Sequence, residues 1–307
     1  MTTPLSYWQR HLRNFVRYGT VRKYANLLHA YLAYLLGKVR IASMPAFLRV
    51  EICRYCEVNC LYCYPPKERL IYPLDKYRQL IDQFREFVFS VSLYDIGEPL
   101  HNPQILDYIH YAHQSKIGTV ISSSLSIEKP EGFWHDLVTS GLDYLIVAID
   151  GITPEVYNHY RRNGQLDLAL ANLKRLVAHK HRMAAQLHIE WQMIDFAWNR
   201  SEQNQAQVMA AQLGCDSFRV IAEATQPRKQ YDQSNMVRKR NCLLPYILFF
   251  VTANDDVRLC YKIYHHDMSV GNLANSTFAE IWNGDEIARV RSCKLIGNRI
   301  GCQKCQE

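Results

Sequence analysis

The 307-residue sequence has no apolar stretch long enough to cross a lipid bilayer. Its longest largely apolar run extends only from Leu27 to Leu36, whereas a membrane-spanning helix needs about 20 residues. The beginning of the chain is interrupted too often by Arg, His and Gln to be a signal peptide. Low-complexity tracts and internal repeats are also absent. We therefore expect a cytoplasmic protein with a substantial buried core.

Acidic residues are missing from the first 48 positions, which contain seven Lys or Arg residues in a chain of formal net charge +7. Helical periodicity with a break at Gly19 predicts that residues 1–45 form basic helices. Either a solvated helix face or an anionic partner would explain this charge, and a membrane surface or an acidic protein would be such a partner. A membrane partner would place the protein peripherally at the bilayer. No recognition motif favours nucleic acid.

Strand-like and helix-like segments alternate between residues 46 and 222. Apolar strand candidates lie at 47–52, 88–94, 119–122, 144–149, 187–193 and 217–221. Helices are predicted at about 74–86, 103–115, 131–140, 154–161, 165–181 and 201–213. This order predicts an α/β fold in which a parallel sheet is flanked by helices. The polar segment 223–240 is predicted to be a linker, followed by a small separate domain at 241–307.

The ten cysteines form two groups along the chain, apart from the isolated Cys215. In a reducing cytosol, metal binding explains them better than disulfides do. Cys56, Cys60 and Cys63 have the spacing C-x3-C-x2-C and directly follow the first strand candidate. Three thiolates on such a loop can hold three irons of a [4Fe–4S] cluster and leave the fourth iron open. A zinc site that also includes Cys53 is the alternative.

This cysteine spacing resembles the motif of the radical S-adenosylmethionine (radical SAM) superfamily, in which an aromatic residue such as Tyr62 often precedes the last cysteine. The resemblance covers most of the chain after residue 46 and implies a partial (β/α)6 barrel. It also implies that the open iron binds S-adenosylmethionine. One electron, from a donor such as flavodoxin or ferredoxin, would then generate a 5′-deoxyadenosyl radical that abstracts a substrate hydrogen.

The same resemblance implies further contacts to S-adenosylmethionine. Gly97 and Glu98 stand where the superfamily has a Gly-Gly-Glu-Pro-like segment that contacts the methionine amino group, although position 96 is Ile here. The other candidates, all at or near predicted strand ends, are Ser122, Ser124, Asp150 and Gln192, with Arg161 as a candidate catalytic residue. The alternatives are a polar turn for the serines, a helix cap for Asp150, a core-edge hydrogen bond for Gln192 and an exposed helix end for Arg161.

The second cysteine group follows the predicted linker. Apolar segments at 247–252 and 257–260 flank a turn-forming tetrad and predict a hairpin, and residues 278–290 predict a helix. Gly271-Asn272 and the segment 280–283 resemble SPASM and twitch domains of the superfamily. The resemblance implies one auxiliary [4Fe–4S] cluster, ligated by Cys242, Cys260, Cys302 and Cys305. A zinc ribbon made of the same four cysteines is the alternative.

The reaction implied by these resemblances is the modification or oxidation of a small polar molecule, such as a sugar or a cyclitol, because some twitch-bearing relatives have substrates of this kind. Maturation of a ribosomally made precursor peptide is the second hypothesis, since SPASM relatives mostly modify peptides. A third hypothesis of another class is a non-catalytic zinc-binding scaffold protein.

Overall fold

The computed structural model describes residues 12–63, 68–222, 242–258 and 269–292. Its helices are α1 (12–18), α2 (Val21–Leu35), α3 (Leu74–Phe84), α4 (Ile105–Gln114), α5 (Glu131–Thr139), α6 (Pro154–Tyr160), α7 (Leu166–Arg182), α8 (Gln203–Gln212), α9 (Leu244–Ile247), α10 (Phe278–Trp282) and α11 (Asp285–Arg291). Its strands are β1 (Phe47–Val50), β2 (Cys53–Arg54), β3 (Asn59–Cys60), β4 (Leu70–Ile71), β5 (Ser90–Ser92), β6 (Gly118–Ser123), β7 (Tyr144–Ala148), β8 (Arg161–Arg162), β9 (His188–Asp195), β10 (Ser217–Ala222), β11 (Leu248–Val251), β12 (Asp256–Arg258) and β13 (Ser269–Asn272).

Nine of these strands form one sheet in the order β10-β9-β7-β6-β5-β1-β11-β12-β13. The strands β1, β5, β6, β7, β9 and β10 are parallel neighbours in chain order, and each lies within or overlaps one of the six predicted segments. One or two helices connect each consecutive pair of these strands. The predicted partial (β/α)6 barrel is therefore confirmed. The strands β1, β5 and β7 are buried at every position, which explains why they are recognisable as apolar runs, whereas β10 at the edge of the sheet is half-buried.

The two faces of the sheet differ in chemistry. The main apolar core, between the sheet and its helices, includes Leu48, Val91 and Ile121 from three neighbouring strands. The opposite face, the barrel interior, carries a separate small cluster of Val120, Tyr144 and Ile146, against which Tyr94 packs. Side chains alternate between the faces along each strand, so the residues between the core positions line the interior.

The C-terminal hairpin is part of the same sheet. β11 lies parallel to β1, and β12 and β13 follow as antiparallel strands. The hairpin was predicted, but its attachment to β1 has no local sequence signal. The predicted helix 278–290 is two helices, because the Asn283 side chain pairs with the backbone of Ile41 (Oδ1 to N, 2.9 Å; Nδ2 to O, 2.9 Å) and interrupts it.

The helix α2 packs against the barrel with its small and polar side. Its buried residues are Lys23, Asn26, Ala30 and Ala33, and Lys23 Nζ donates to the carbonyl oxygen of Lys116 (2.7 Å). The other side of α2 exposes the large apolar residues Val21, Tyr24, Leu28, Tyr31, Leu32 and Leu35, together called the α2 apolar face. No helix in the described part of the chain has the length and hydropathy needed to cross a membrane.

Candidate active site

The cysteines of the first group lie on a loop at the carboxyl ends of the parallel strands. Cys56, Cys60 and Cys63 are all half-buried. The loop is fixed by short strand pairs, β2 with β4 and β3 with β8. Within it, Cys63 N donates to Cys60 O (3.1 Å), and Leu61 N donates to Tyr160 O (2.8 Å). The loop is thus tied by its backbone to the end of α6.

Burial makes the thiols of Cys56 and Cys60 reluctant to ionise. Desolvation raises the pKa of Cys56, and the carboxylates of Glu98 and Glu57 raise it further. Desolvation also raises the pKa of Cys60, although the Arg161 guanidinium opposes this effect. Cysteines that ligate a metal must be thiolates, so positive charge has to come from the metal itself. Three thiols on one loop in this environment fit a [4Fe–4S] cluster.

The packing of Cys53 argues against a four-cysteine zinc site on this loop. Four thiolates on one zinc ion would each lie about 2.3 Å from it. Cys53, the fourth member of that hypothesis, is 2% exposed and its Sγ contacts the carbonyl oxygen of Tyr55 at 3.8 Å. Cys53 is therefore a packed core residue.

Gly97 and Glu98 lie directly against the cysteine loop. A Cβ atom on Gly97 would approach the carbonyl oxygen of Cys53 to 2.1 Å, so only glycine fits here. The Glu98 carboxylate is buried, and its Oε2 accepts from Ser124 N (2.9 Å) and Ser124 Oγ (3.1 Å). Burial raises the pKa of Glu98, while the hydrogen bonds from Ser124 lower it. Ser124 thus orients Glu98.

Asp150 and Arg161 form a buried ion pair beside Cys60. Arg161 Nε donates to Asp150 Oδ2 (2.7 Å), and Arg161 Nη1 lies 3.8 Å from Cys60 Sγ. Asp150 Oδ1 accepts from Ile194 N (2.7 Å). The N-cap position of α6 is Thr153, so Asp150 does not cap that helix. The Arg161 side chain is only 11% exposed, which also contradicts an exposed helix end.

The remaining candidates on the barrel lie along the same strand ends. The Tyr62 ring is 6.1 Å from that of Tyr160 and 6.0 Å from that of Phe196. Ser122 is half-buried in β6, and Gln192 is half-buried in β9. The structure therefore brings the first cysteine group and all the candidate cofactor contacts to one end of the sheet.

The second cysteine group is described only in part. Cys242 is half-buried just before α9. The other three predicted ligands, Cys260, Cys302 and Cys305, lie outside the described residues, as does the predicted linker 223–240.

Two further groups in this region were missed by sequence reasoning. The Glu57 carboxylate, inside the cysteine loop, contacts His101 Nε2. Burial lowers the pKa of Lys129, while the nearby charges of Glu98 and Cys53 raise it. The sequence could have indicated Glu57, which lies between two cysteines of the motif. It could not have indicated His101 and Lys129, because they are distant in sequence and only folding brings them near the loop.

Models of known protein families match two parts of the chain. The radical SAM superfamily model matches residues 50–186. The SPASM model, described as an iron–sulfur cluster-binding domain, matches residues 242–306.

Known proteins are similar over different lengths. GTP 3′,8-cyclase of Limosilactobacillus fermentum is 25% identical over 133 residues, which are 40% of this chain and 39% of that protein. The structure of Streptococcus suis SuiB bound to the precursor peptide SuiA has a TM-score of 0.69 at 14% identity, covering 87% of this chain and 71% of SuiB. BtrN in complex with AdoMet and 2-DOIA has a TM-score of 0.53 at 16% identity, covering 86% and 94%.

A parallel α/β barrel with three thiols on the loop after its first strand is the arrangement of an iron–sulfur enzyme that works at the strand ends. The chain belongs to the radical SAM superfamily and carries a C-terminal SPASM domain. These domains bind a [4Fe–4S] cluster with S-adenosylmethionine and further iron–sulfur clusters, respectively. The iron–sulfur assignment replaces the hypothesis of a zinc-binding scaffold.

Proposed function

We propose that this protein abstracts a hydrogen atom from a small polar molecule, such as a sugar or a cyclitol, using a [4Fe–4S] cluster ligated by Cys56, Cys60 and Cys63. When bound, the reduced cluster and S-adenosylmethionine supply methionine and a 5′-deoxyadenosyl radical, which takes one substrate hydrogen and becomes 5′-deoxyadenosine. The proposal of a polar substrate is based on the polar side chains in the barrel interior. There the buried Glu190 accepts a hydrogen bond from Tyr144 Oη (2.7 Å) and pairs with Arg219.

Residues of this chain have two separate roles in the proposal. Tyr62, Gly97, Glu98, Ser122 and Gln192 contact S-adenosylmethionine, with the Glu98 carboxylate accepting from the methionine ammonium. A carboxylate has about four lone-pair sites, so the hydrogen bonds that Glu98 already accepts leave room for this contact.

Ser124, Asp150 and Arg161 are positioning residues. Ser124 acts through Glu98, and the Asp150–Arg161 pair acts through the loop at Cys60. The Nε atom of Arg161 is already engaged by the buried Asp150 carboxylate, so we assign Arg161 to positioning the loop and not to binding substrate.

The C-terminal region supplies the second cluster in this proposal, ligated by Cys242, Cys260, Cys302 and Cys305. The division of the chain at 1–45, 46–222, 223–240 and 241–307 is part of the same proposal. A one-electron donor of the flavodoxin or ferredoxin type reduces the primary cluster.

Modification of a precursor peptide is the second candidate function. SuiB, which shares the fold at a TM-score of 0.69 and 14% identity, was solved bound to its precursor peptide, and BtrN, at 0.53 and 16% identity, was solved with 2-DOIA. Both similarities concern the fold, so the choice between the two substrate classes rests on experiment.

Deuterium transfer distinguishes these functions before the substrate is known. We expect that the reduced enzyme, incubated with an extract of deuterated cells, will form deuterated 5′-deoxyadenosine from unlabelled S-adenosylmethionine. Small-molecule and peptide fractions of the extract are tested separately by mass spectrometry. Transfer from the peptide fraction alone would favour the second function. No transfer from either fraction, with cleavage persisting, would contradict both.

We also propose that the α2 apolar face lies on an anionic membrane surface. Leu28, Leu32 and Leu35 are 58%, 46% and 59% exposed on this side of α2. Exposed apolar faces of this kind are typical of contact surfaces. Lys23 is buried on the other side of α2 and Arg17 pairs with Asp143, but Arg22, Lys38 and Arg40 are exposed basic residues on or near this helix. Basic residues complement anionic headgroups better than a second copy of the same surface does.

Vesicle binding tests this surface. We expect the protein to sediment with phosphatidylglycerol vesicles at low salt and to be released at about 1 M salt, where charges are screened within about 3 Å. Replacing Leu28 and Leu32 with Glu should weaken binding at least about tenfold, since apolar burial is lost and repulsion is added. Val208→Glu is the control, because Val208 is 56% exposed on α8. Equal binding to neutral vesicles, or no loss in the double variant, contradicts the proposal.

A further inference from the structure

A row of charged side chains crosses the barrel interior beside the cysteine loop. Arg49 in β1 lies opposite Phe250 in β11, which lies opposite Arg258 in β12. Residues in register on neighbouring strands share a face of the sheet. The guanidinium carbon of Arg49 is 4.6 Å from the ring centre of Tyr94, which packs on the interior cluster. The row therefore faces the barrel interior.

Asp95 lies between the two arginines. Arg49 Nη1 is 3.2 Å from Asp95 Oδ1, and Arg258 Nη1 is 3.9 Å from Asp95 Oδ2. The side chains of Arg49, Asp95 and Arg258 are 10%, 1% and 4% exposed. A second buried pair, Arg54 with Glu51 at 2.6 Å, adjoins them. Buried guanidinium and carboxylate groups thus alternate along this part of the interior.

Arg258 has too few partners for a buried arginine. Its contacts to described residues are the 3.9 Å ion pair with Asp95 and a cation–π contact to Phe250 at 6.0 Å. A separation of 3.9 Å is too long for a hydrogen bond. Arg258 Nε is buried without a hydrogen-bond partner, and so is Asp95 Oδ2. A guanidinium has five donors, and leaving buried donors unpaired is costly.

Another buried arginine shows what a structural role looks like in this protein. Arg291 is 1% exposed, and its guanidinium donates to the carbonyl oxygens of Pro245 (3.0 Å) and Val39 (3.2 Å). Arg258, at 3% exposure, has no such acceptor among the described residues. Arg291 Nη2 is also buried without a partner, so the two arginines differ in that Arg258 makes no hydrogen bond to a described residue and Arg291 does.

The location of this group suits a substrate site. Asp95 directly precedes Ile96, whose carbonyl oxygen lies 3.9 Å from Cys63 Sγ. The unpaired atoms of Asp95 and Arg258 are thus at the same end of the barrel as the cysteine loop, on the enclosed side of the sheet.

We propose that Arg258, together with Arg49, binds an oxyanion group of the substrate, and that Asp95 Oδ2 accepts a hydrogen bond from a hydroxyl group of the same molecule. A carboxylate or a phosphate matches the planar donor set of a guanidinium. The inference rests on the proposed function and narrows its substrate to a hydroxylated acid or a phosphate ester.

Anion binding to the reconstituted enzyme tests this site without turnover. We expect saturable one-site binding of inorganic phosphate or of malonate by calorimetry, and the anion that binds identifies the group. Arg258→Gln should weaken binding by about 10- to 100-fold, because a hydrogen bond to a charged group is lost. The affinity of Arg258→Lys for the anion should lie between those of the wild type and Arg258→Gln, since lysine keeps the positive charge but lacks the planar guanidinium. Asp95→Asn should bind the anion more tightly, because it removes a competing negative charge.

The matched control is Arg289→Gln, which removes an arginine that is 61% exposed on α11. It should bind the anion as the wild type does, and thermal unfolding should show that all variants are folded. Absence of saturable binding in the wild-type enzyme overturns the inference even if the variants do not fold. Undiminished binding by folded Arg258→Gln, or weaker binding by folded Asp95→Asn, also overturns it. Deuterium transfer from the small-molecule fraction would in those cases leave the proposed function standing.

Discussion

Replacing Cys56, Cys60 and Cys63 together with Ala is expected to reduce S-adenosylmethionine cleavage to background and to remove about four irons per chain. The wild-type enzyme should cleave S-adenosylmethionine even without substrate, since uncoupled cleavage requires only the primary cluster and an electron donor. The three thiols are the proposed ligands on one loop, and the neighbouring Cys53 cannot replace them because it is packed in the core. Iron analysis and chromatography of 5′-deoxyadenosine measure the two effects.

The control for this variant is Cys215→Ala. Cys215 is half-buried against the main core, far along the sequence from the loop, and its loss should leave iron content and cleavage unchanged. The triple variant should keep the iron of the C-terminal domain and remain coloured. Cleavage retained by the triple variant would show that the primary cluster has been assigned to the wrong residues.

Arg161→Met is expected to lower the free energy of unfolding by about 3 to 5 kcal/mol, because it breaks a buried ion pair. The change leaves the carboxylate of Asp150, 1% exposed, without its cation. Because a domain is stable by only about 5 to 15 kcal/mol, this is a large fraction of the total. The cysteine loop should also loosen, since β3 pairs with β8 at Cys60 and Arg161. Urea unfolding and iron content measure both results.

Arg162→Met provides the matched comparison, because Arg162 is the neighbour in β8 and is exposed. It should change the free energy of unfolding by no more than about 0.5 kcal/mol. Adding Asp150→Asn to Arg161→Met should restore part of the loss, since it removes the unpaired charge. Similar losses at positions 161 and 162 would contradict the role of the ion pair.

The sequence predicted the parallel strands and the cysteine loop because both have local signals. Strands buried on both faces are apolar runs, and the three cysteines lie within eight residues. Gly97 and Glu98 were proposed from their resemblance to a superfamily segment and their position after the second strand, and the structure places Gly97 against the backbone of Cys53.

Other features depend on contacts between distant segments, which a single sequence does not reveal. Asp150 was predicted to contact S-adenosylmethionine and Arg161 was a candidate catalytic residue, and the structure joins the two side chains in an ion pair. Arg49 and Arg258 come together only through the pairing of β1, β11 and β12. Periodicity showed that α2 has an apolar side, yet which side packs on the barrel follows from contacts such as Lys23 with Lys116.

The pairing of β11 with β1 also affects how the chain is made. β5 can pair with one edge of β1 soon after β1 is synthesised. The other edge of β1 pairs with β11, which lies about 200 residues later in the chain, with Leu48 opposite Phe249. At about 5 to 20 residues per second, a ribosome needs roughly 10 to 40 s to deliver that strand. During this interval β1 is an open edge of a nascent sheet, with backbone groups free to pair with another chain. A strand translated about 200 residues after β1 therefore protects β1 from aggregation, and chaperones have a defined period in which to act.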